Sequence, residues 1–248
     1  MRKIIYVLGL TLLANVAVAG PEEVEAKIKL ALAADIRGSE EKSRDKNRKP
    51  LETLSFFGLD DGMNVLEILP GGGWYTKILA PVLHDKGTLY EALGVSRVKQ
   101  LSELPGFGNI EILETGAKIE KPPGEPLYTV SDFDLGIDNL DMVFTFRNYH
   151  NFNAEGRKAI NDAVFEALKS GGVYAVVDHT RRHMQNLNIE NNRRVDPVLV
   201  IKEIQESGFK FDDYSTIHYR PDDELRFEVG RKTVTGNTDR FTLKFVKP

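Results

Sequence analysis

The sequence contains no cysteine. This absence excludes a thiol nucleophile, a thiolate-bound zinc site and an iron–sulfur cluster held by cysteines. It also excludes disulfide bonds, so the folded state has to be stabilised by its apolar core. With 248 residues, of which 41% are hydrophobic, the chain is long enough to bury such a core within one α/β domain.

An excess of positive charge is absent as well. The chain has 33 Lys and Arg residues against 37 Asp and Glu residues, which gives a formal net charge of −4. Removal of the first 19 residues, which carry Arg2 and Lys3, changes this to −4 − 2 = −6. A general nucleic-acid-binding protein presents a basic surface, so the composition argues against nucleic acid as a partner.

Several common catalytic motifs are also missing. No lysine directly follows Gly71-Gly-Gly73, as the phosphate-binding loop of a nucleoside triphosphatase requires. The segment Gly94-Val-Ser-Arg-Val98 lacks the closing glycine of a hydrolase nucleophile elbow. The consecutive glycines also differ from the spaced glycines of dinucleotide-dependent oxidoreductases.

An apolar run occurs at the N-terminus. It extends from Ile4 to Val16, follows Arg2 and Lys3, and leads into Ala17-Val-Ala19. This order is typical of a secretory signal peptide, and the run is shorter than the ~20 residues that cross a bilayer. We therefore predict a signal peptide at residues 1–19 and a protein that is periplasmic or secreted, with no stable membrane insertion after cleavage. A retained N-terminal anchor is the alternative.

The most informative feature that is present is a strand, a glycine turn and a helix in succession. Residues Met63–Leu69 predict a strand, Gly71-Gly-Gly73 a tight turn, and Trp74–Leu83 a helix. Glycines permit positive φ and close approach of a ligand to the backbone. Glu67 lies inside the predicted strand, where an ionised carboxylate needs a polar partner. A polar ligand over the strand end would supply that partner; a tight turn without a ligand is the alternative.

Strands and helices alternate through the middle of the chain, which predicts a mostly parallel sheet covered by helices on both faces. After the first strand, the predicted strands are Thr88–Leu93, Ile110–Glu114, Met142–Phe146 and Val173–Val177, and the predicted helices are Ser96–Leu104 and Asn153–Leu168. The tail adds an amphipathic helix and two antiparallel strands, Asp196–Ser207, Phe209–Tyr214 and Phe241–Val246.

We predict a helical arm at residues 20–58 in front of an α/β domain at residues 59–248. Within the arm, the charged segment Gly38–Lys49 has no apolar stripe, and we interpret it as a solvent-exposed connector. The alternative is a lid over a ligand, formed by Arg44, Asp45 and Arg48.

Three segments resemble motifs of the class I S-adenosylmethionine-dependent methyltransferases, in the family's order. They are Glu67-Ile-Leu-Pro-Gly-Gly-Gly73, Asp138-Asn-Leu-Asp-Met-Val-Phe-Thr-Phe-Arg-Asn-Tyr-His150 and Leu168-Lys-Ser-Gly-Gly172. The resemblance implies an α/β fold with a Rossmann-like, mostly parallel seven-stranded sheet, helices on both faces and an antiparallel C-terminal strand. More narrowly, Pro70–Tyr75, Phe146–His150 and Thr238–Pro248 resemble exported bacterial proteins described as predicted methyltransferases.

The resemblance also implies S-adenosylmethionine as the cofactor. Gly71 and Gly73 would let the backbone lie against its amino-acid part, and Glu67 would accept from its ammonium group or organise water beside it. The cofactor-binding residues that we predict are Glu67, Gly71, Gly72, Gly73, Trp74, Tyr75, Glu91, Arg147 and Asn148.

The second strand departs from the family's pattern. The family places an acid at the end of this strand to bind the ribose hydroxyls, and the apolar pattern puts Leu93 there. Glu91 lies two residues earlier and points to the same side as Leu93, because side chains alternate along a strand. Glu91 would reach the ribose only if the strand ended sooner.

His150 and Asp178 are the predicted catalytic residues. They follow or close the fourth and fifth predicted strands, at the sheet edge where ligands bind in open α/β sheets. Histidine titrates near neutral pH, so His150 is expected to deprotonate a hydroxyl or amine acceptor, with Asp178 as a substrate contact. The alternative is that Asn148 and His150 only brace the loop backbone.

His179 and His183 have a spacing that would place both on one helical face, as metal ligands sometimes are. The positive charges of Arg181 and Arg182 lie between them and are poor neighbours for a cation, so we predict a polar loop and no metal. We interpret the arginines of this region as solvated, namely Arg181, Arg182, Arg193 and Arg194. The alternative is that they contact an anionic acceptor, since guanidinium groups suit carboxylate and phosphate.

Three functional hypotheses follow. The first is an exported methyltransferase that transfers a methyl group from S-adenosylmethionine to a small acceptor in the cell envelope. The second is a catalytically inactive methyltransferase-fold protein that binds a small molecule, motivated by Leu93 and by the cytoplasmic origin of the cofactor. The third is a metal-dependent hydrolase that uses His150, Asp178 and His179.

Overall fold

The computed structural model describes residues 20–248. The predicted signal peptide at residues 1–19 lies outside the described residues. Among the residues that are described, no helix combines the length and the apolar character needed to cross a membrane.

One mixed sheet forms the centre of the molecule. The strands of the described chain are β1 (Asn64–Ile68), β2 (Thr88–Ala92), β3 (Ile110–Leu113), β4 (Ile119–Glu120), β5 (Thr129–Val130), β6 (Leu140–Phe146), β7 (Leu168–His179), β8 (Lys210–Ser215) and β9 (Arg240–Val246). Within residues 20–248, seven of them form the main sheet in the order β3-β2-β1-β6-β7-β9-β8, and β4 pairs with β5. The first five of that order are parallel, and β9 is antiparallel to both β7 and β8.

The helices begin at residues suited to helix starts. They are α1 (Pro21–Ala33), α2 (Ser39–Ser43), α3 (Asp45–Arg48), α4 (Pro50–Phe57), α5 (Thr76–Leu83), α6 (Ala154–Ala167) and α7 (Pro197–Glu206). Proline occupies the first turn of α1, α4 and α7, where its missing N–H has no cost. Asn153 caps α6 by accepting from the Gly156 backbone N–H at 2.9 Å, and Asp196 caps α7 in the same way.

Two apolar layers cover the sheet. Side chains alternate along β1, so Val65 packs in a layer with α1, α4 and α5, whereas Leu66 packs in a layer with α6 and α7. This confirms the predicted Rossmann-like sheet with helices on both faces and an antiparallel C-terminal strand.

The predicted helix at Ser96–Leu104 is wrong. This segment instead forms two 3-10 helices, Val95–Arg97 and Leu101–Glu103. Nine residues are too few for a helix to be stable by itself. Tertiary packing places Val98 and Leu101 against the glycine turn instead.

The interpretation of Gly38–Lys49 as a solvent-exposed connector is also wrong. The segment forms α2 and α3, and Arg48 is only 8% exposed. Its guanidinium lies 4.2 Å from the centre of the Trp74 ring, and the Trp74 indole N–H donates to the Glu41 carbonyl at 3.1 Å. Hydropathy patterns miss this burial because an arginine packs its stem and planar head on aromatic rings without any apolar stripe.

Candidate functional site

The ends of three adjacent parallel strands form one rim of the site. The residues that follow β2, β1 and β6 are Leu93, Leu69 and Arg147, with φ angles of 59°, 59° and 62°. This left-handed conformation costs a residue with a side chain about 1–2 kcal/mol. Such local strain is concentrated at functional sites. Here it turns the chain sharply away from the sheet at three neighbouring points.

The glycine turn after β1 leaves its backbone open. Gly71 has a φ of 61°, and a Cβ added at Gly71 or Gly72 would meet no atom within 4 Å. At Gly73 a Cβ would lie 2.8 Å from Leu101 and 3.0 Å from Val98. The first two glycines therefore leave room for a ligand at the backbone, whereas Gly73 is needed for packing against the protein itself.

Glu67 is a buried carboxyl group beside this turn. It is 3% exposed and accepts a hydrogen bond from the Thr76 hydroxyl at 2.9 Å. Burial raises the pKa of Glu67 to about 7, although the Thr76 hydrogen bond and the charge of Arg48 oppose the change. A cation that approached Glu67 would favour its ionised form.

A cavity of 240 Å³ opens between the glycine turn, Glu67 and the helical arm, and we call it the turn cavity. Asn148 fixes one side of it, because its amide donates to the carbonyl oxygens of Leu69 at 2.9 Å and Phe146 at 3.0 Å. Seven of the nine predicted cofactor-binding residues line the turn cavity, namely Glu67, Gly71, Gly72, Trp74, Tyr75, Arg147 and Asn148.

The aromatic pair Trp74 and Tyr75 forms a rigid wall of the turn cavity. The Tyr75 ring stacks on Phe146 with centroids 3.6 Å apart and planes 10° apart. Burial raises the pKa of Tyr75 to about 12, so its hydroxyl stays protonated at neutral pH. Since Trp74 also holds the arm through Glu41, the pair joins the arm to the sheet.

The structure does not bring Glu91 or Gly73 to the turn cavity. Glu91 is fully buried opposite Glu67 in the register of β1 and β2, and within residues 20–248 neither of its carboxyl oxygens has a hydrogen-bond partner. Burial, together with the charge of Glu67, raises the pKa of Glu91 well above its ordinary value. Because β2 continues to Ala92, Glu91 stays inside the sheet.

A larger cavity of 760 Å³ adjoins the turn cavity beyond the ends of β2 and β3, and we call it the sheet-edge cavity. The two cavities share Leu69 and Asn148. Leu93, at the position where the resemblance expects a ribose-binding acid, lines its wall. Its polar groups come from Glu114, Thr115, Asn148 and Asn151.

A third cavity, of 320 Å³, lies between the arm, the ends of β6 and β7, and the C-terminal tail. We call it the arginine cavity, because it is lined by Arg44, Arg48, Arg147, Arg193 and Arg240. The first three of these also line the turn cavity. The other arginines of the loop, Arg181, Arg182 and Arg194, line neither the turn cavity nor the arginine cavity. The interpretation of Arg194 as solvated is wrong, because it is buried and forms an ion pair with Asp223 at 2.9 Å.

His150 and Asp178 form a hydrogen-bonded pair behind these cavities. The His150 Nδ1 and an Asp178 carboxylate oxygen are 2.6 Å apart, and Asp178 also accepts from the backbone N–H groups of His150 and His179. Both side chains are buried, and neither lines any of the three cavities. Asp178 thus holds the ends of β6 and β7 together, and the catalytic role of the pair stays a prediction.

The other two histidines of this region lie apart. The His179 Nε2 accepts from Arg147 at 3.3 Å and its Nδ1 bonds the Thr238 hydroxyl at 2.9 Å, whereas His183 pairs with Asp196 at 2.9 Å. Burial lowers the pKa of His179 well below its ordinary value. In the part of the chain that the structure describes, no group of three or more His, Asp or Glu residues is arranged to hold a metal ion.

The sequence analysis assigned no role to Arg240. The antiparallel pairing of β9 with β7 places the first residue of β9, Arg240, beside the last residue of β7, His179. An antiparallel strand begins at the edge of the sheet where the strand beside it ends. The sequence therefore offered one indication that Arg240 belongs to the site, namely a charged residue directly before the predicted last strand. Glu114 follows β3 directly and lines the sheet-edge cavity. The sequence analysis did not identify it as a site residue, because it belongs to no recognised motif.

No protein-family model matches the chain, and a comparison with curated proteins finds no significant match. Solved structures do resemble it. A SAM dependent methyltransferase from Aquifex aeolicus is 18% identical, with a TM-score of 0.57 over 90% of this chain and 98% of that protein.

Two further solved structures have the same architecture. The 1,6-didemethyltoxoflavin-N1-methyltransferase of Burkholderia thailandensis, with 1,6-didemethyltoxoflavin and S-adenosylhomocysteine bound, is 13% identical, with a TM-score of 0.52 over 94% of this chain and 93% of that protein. The [4+2]-cyclase SpnF is 12% identical, with a TM-score of 0.56 over 91% of this chain and 93% of that protein. Identities this low establish the fold and leave the reaction to be argued from the site. The chain has the Rossmann-like fold of the Aquifex aeolicus and Burkholderia thailandensis methyltransferases.

Proposed function

We propose that this protein is an S-adenosylmethionine-dependent methyltransferase that acts on a small acceptor in the cell envelope. The observation that carries the proposal is the pair of adjoining cavities at the glycine turn. The turn cavity is small and charged, the sheet-edge cavity is larger and mostly apolar, and Leu69 and Asn148 lie between them. A ligand with a charged amino-acid end and a nucleoside end matches this division.

The residues present fit the amino-acid end of the cofactor. Glu67 offers a carboxylate to its ammonium group, and the open backbone at Gly71 and Gly72 permits close contact. Guanidinium groups suit its carboxylate, and Arg48 and Arg147 line the same cavity. Acidic and basic groups therefore line one cavity, as a ligand with an ammonium group and a carboxylate requires.

When bound, S-adenosylmethionine supplies a methyl group on a positively charged sulfur, which a nucleophilic acceptor atom can take. The protein's part is to hold the two reactants in line and to remove a proton from the acceptor. We retain His150 as the proposed base, because Asp178 holds the Nδ1 side of the ring and leaves Nε2 as the basic atom. Since His150 lies outside the three cavities, this role requires the acceptor to reach the loop after β6.

Calorimetric titration of residues 20–248 with S-adenosylhomocysteine tests the proposal. We expect a dissociation constant between about 1 μM and 1 mM, the usual range for enzyme substrates. Gly72→Leu should abolish the heat of binding, because its side chain would enter the turn cavity. Gly108→Leu is the matched control, since both glycines are exposed, neither has a left-handed φ and neither has an atom near its Cβ position.

Two results would contradict the proposal. One is the absence of binding by the wild-type protein at millimolar ligand. The other is equal binding by the Gly72→Leu and Gly108→Leu variants. Export is tested separately by N-terminal sequencing of the protein from the periplasmic fraction, for which Gly20 is the expected first residue.

The alternative is a methyltransferase-fold protein that binds a small molecule without transferring a methyl group. Leu93 lines the sheet-edge cavity where the family has an acid, and Glu91 is sealed inside the sheet. The similarity to a protein named as a cyclase supports the same alternative, since one fold carries many functions. Native mass spectrometry of the protein isolated from its own cells decides: a retained adenosyl compound favours the transferase, and an unrelated molecule favours the alternative.

A further inference from the structure

The arginine cavity carries positive charge that the protein does not neutralise with close ion pairs. Of its five arginines, only Arg193 has a carboxylate partner, Glu228. Within residues 20–248, the guanidinium groups of the remaining four form no ion pair; they are Arg44, Arg48, Arg147 and Arg240. No Asp or Glu lines the cavity.

Two of these four arginines are buried. Arg48 is 8% and Arg240 is 7% exposed, and the Nε atom of each has no hydrogen-bond partner in the described chain. A buried charge without a partner is costly, because the protein replaces the water that would solvate it. Burial and repulsion by Arg147 lower the pKa of Arg48 to about 8 and that of Arg240 to about 10. A bound anion would oppose both of these causes.

Apart from Glu67, whose pKa of about 7 leaves it only partly ionised, the carboxyl groups near these arginines are committed elsewhere. Asp178 affects Arg147 and Arg240 at longer range, but its oxygens are taken by His150 and two backbone N–H groups. Glu41, on the turn-cavity side, forms an ion pair with Lys77 at 2.9 Å. The cluster therefore still favours a negative charge at its centre.

We infer that the arginine cavity binds a phosphate or carboxylate group, and that this anionic group belongs to the methyl acceptor. The second part rests on the proposed function. Guanidinium forks match the oxygens of either anion, and a cavity of 320 Å³ accommodates a group of this size. Because Arg44, Arg48 and Arg147 also line the turn cavity, an anion held here would lie next to the charged end of the cofactor.

The anion site is tested with the mature chain, inorganic phosphate and citrate in a low-salt buffer, by calorimetry and thermal unfolding. We expect at least one of the two anions to bind with a dissociation constant below about 1 mM. At about 100 times this constant, the anion should raise the melting temperature by about 5–10 °C. The probe that binds more tightly identifies the class of the anionic group.

Arg240→Gln should weaken anion binding at least tenfold. Because Arg240 also donates to the Asn47 carbonyl at 2.7 Å, the melting temperature of this variant in anion-free buffer is measured first, to show that it is folded. The exposed Arg44→Gln is a second variant whose folding is not at risk, and it should weaken binding several-fold. Arg97→Gln, which removes an exposed arginine outside all three cavities, should bind as the wild type does. Equal effects of Arg240→Gln and Arg97→Gln on anion binding would overturn the anion site. The failure of both phosphate and citrate to bind the wild-type protein would overturn it as well.

The acceptor role is tested by repeating the anion titration with saturating S-adenosylhomocysteine. Simultaneous binding supports it, because acceptor and cofactor have to occupy the protein together. Mutual displacement overturns it and assigns the arginines to the cofactor's carboxylate. If the anion binds and S-adenosylhomocysteine does not, the proposed function fails while the anion site stands.

Discussion

Replacing Glu91 by glutamine is expected to stabilise the protein increasingly as the pH rises from about 5 to about 7. Glu91 and Glu67 lie opposite each other on β2 and β1, and both are buried. Neither oxygen of Glu91 has a partner among residues 20–248, so its ionised form is unfavourable. Glutamine has the same shape and no charge, which removes the titration and leaves the packing.

The direction of the effect follows from the raised pKa values of both carboxyl groups in the folded protein. The pKa of Glu67 rises from 4.5 to about 7, and that of Glu91 rises well above its ordinary value, so over this range the folded state binds more protons than the unfolded state. Their contribution to stability is fully present below the unfolded-state pKa and is lost as the pH rises through the folded-state pKa. A carboxyl group that stays protonated in the folded state while it is ionised in the unfolded state costs at most about 1.4 kcal/mol of stability per pH unit, or about 2.7 kcal/mol between pH 5 and pH 7.

Urea unfolding of both proteins at about pH 5 and pH 7 measures the effect. The stability of Glu91→Gln relative to the wild type should rise by about 2–3 kcal/mol between the two conditions. Any cost of burying the new amide is the same at both and cancels. Glu111→Gln, an exposed change on the adjacent strand β3, should show a difference within about 0.5 kcal/mol. A stability difference for Glu91→Gln that does not change with pH would refute the reasoning.

Three further outcomes are expected. Gly73→Ala should destabilise the protein by about 2–3 kcal/mol in urea unfolding, since its Cβ would lie 2.8 Å from a neighbouring side chain. Gly106→Ala, also at positive φ but with open space around it, should cost only about 1 kcal/mol. Equal costs for the two variants would exclude the packing argument. His150→Gln should lower methyl-transfer kcat by about 10²–10⁴ with unchanged affinity for S-adenosylhomocysteine if His150 is the base, and an unchanged kcat would remove it from the mechanism. Binding of S-adenosylhomocysteine at about pH 6.5 should release protons from the protein, because the ammonium group of the ligand favours the ionised form of Glu67. Calorimetry in two buffers of different ionisation enthalpy measures this release, and equal heats of binding in the two buffers would contradict the contact.

The two proposals together describe one continuous site. Neighbouring cavities share lining residues: Leu69 and Asn148 line both the sheet-edge cavity and the turn cavity, and Arg44, Arg48 and Arg147 line both the turn cavity and the arginine cavity. The cofactor would occupy the first two cavities and the anionic part of the acceptor the third. This order would bring the charged end of the cofactor close to the acceptor, and Arg44 and Arg48 of the helical arm line the two cavities involved.

Most of the architecture was predictable from local patterns. The apolar runs of the central strands, the glycines at 71–73 and the prolines at helix starts each act on their own neighbours, so they indicate strand, turn and helix without knowledge of the rest. The same applies to Glu67, whose position inside an apolar strand beside a turn already predicted a buried carboxyl group at the site. Where the pattern was short, as at Ser96–Leu104, tertiary packing decided against it.

The sequence by itself thus determined the order of the elements and the glycine turn that opens a cavity at the edge of the sheet. Only the tertiary structure decided that Glu91 is sealed beside Glu67, because strand register and the point where β2 ends set what a side chain reaches. It alone decided that Arg48, Arg147 and Arg240, far apart along the chain, meet around one cavity. Local hydrophobic periodicity carries no information about such a meeting, since the repulsion and desolvation of these charges arise only when distant segments pack together.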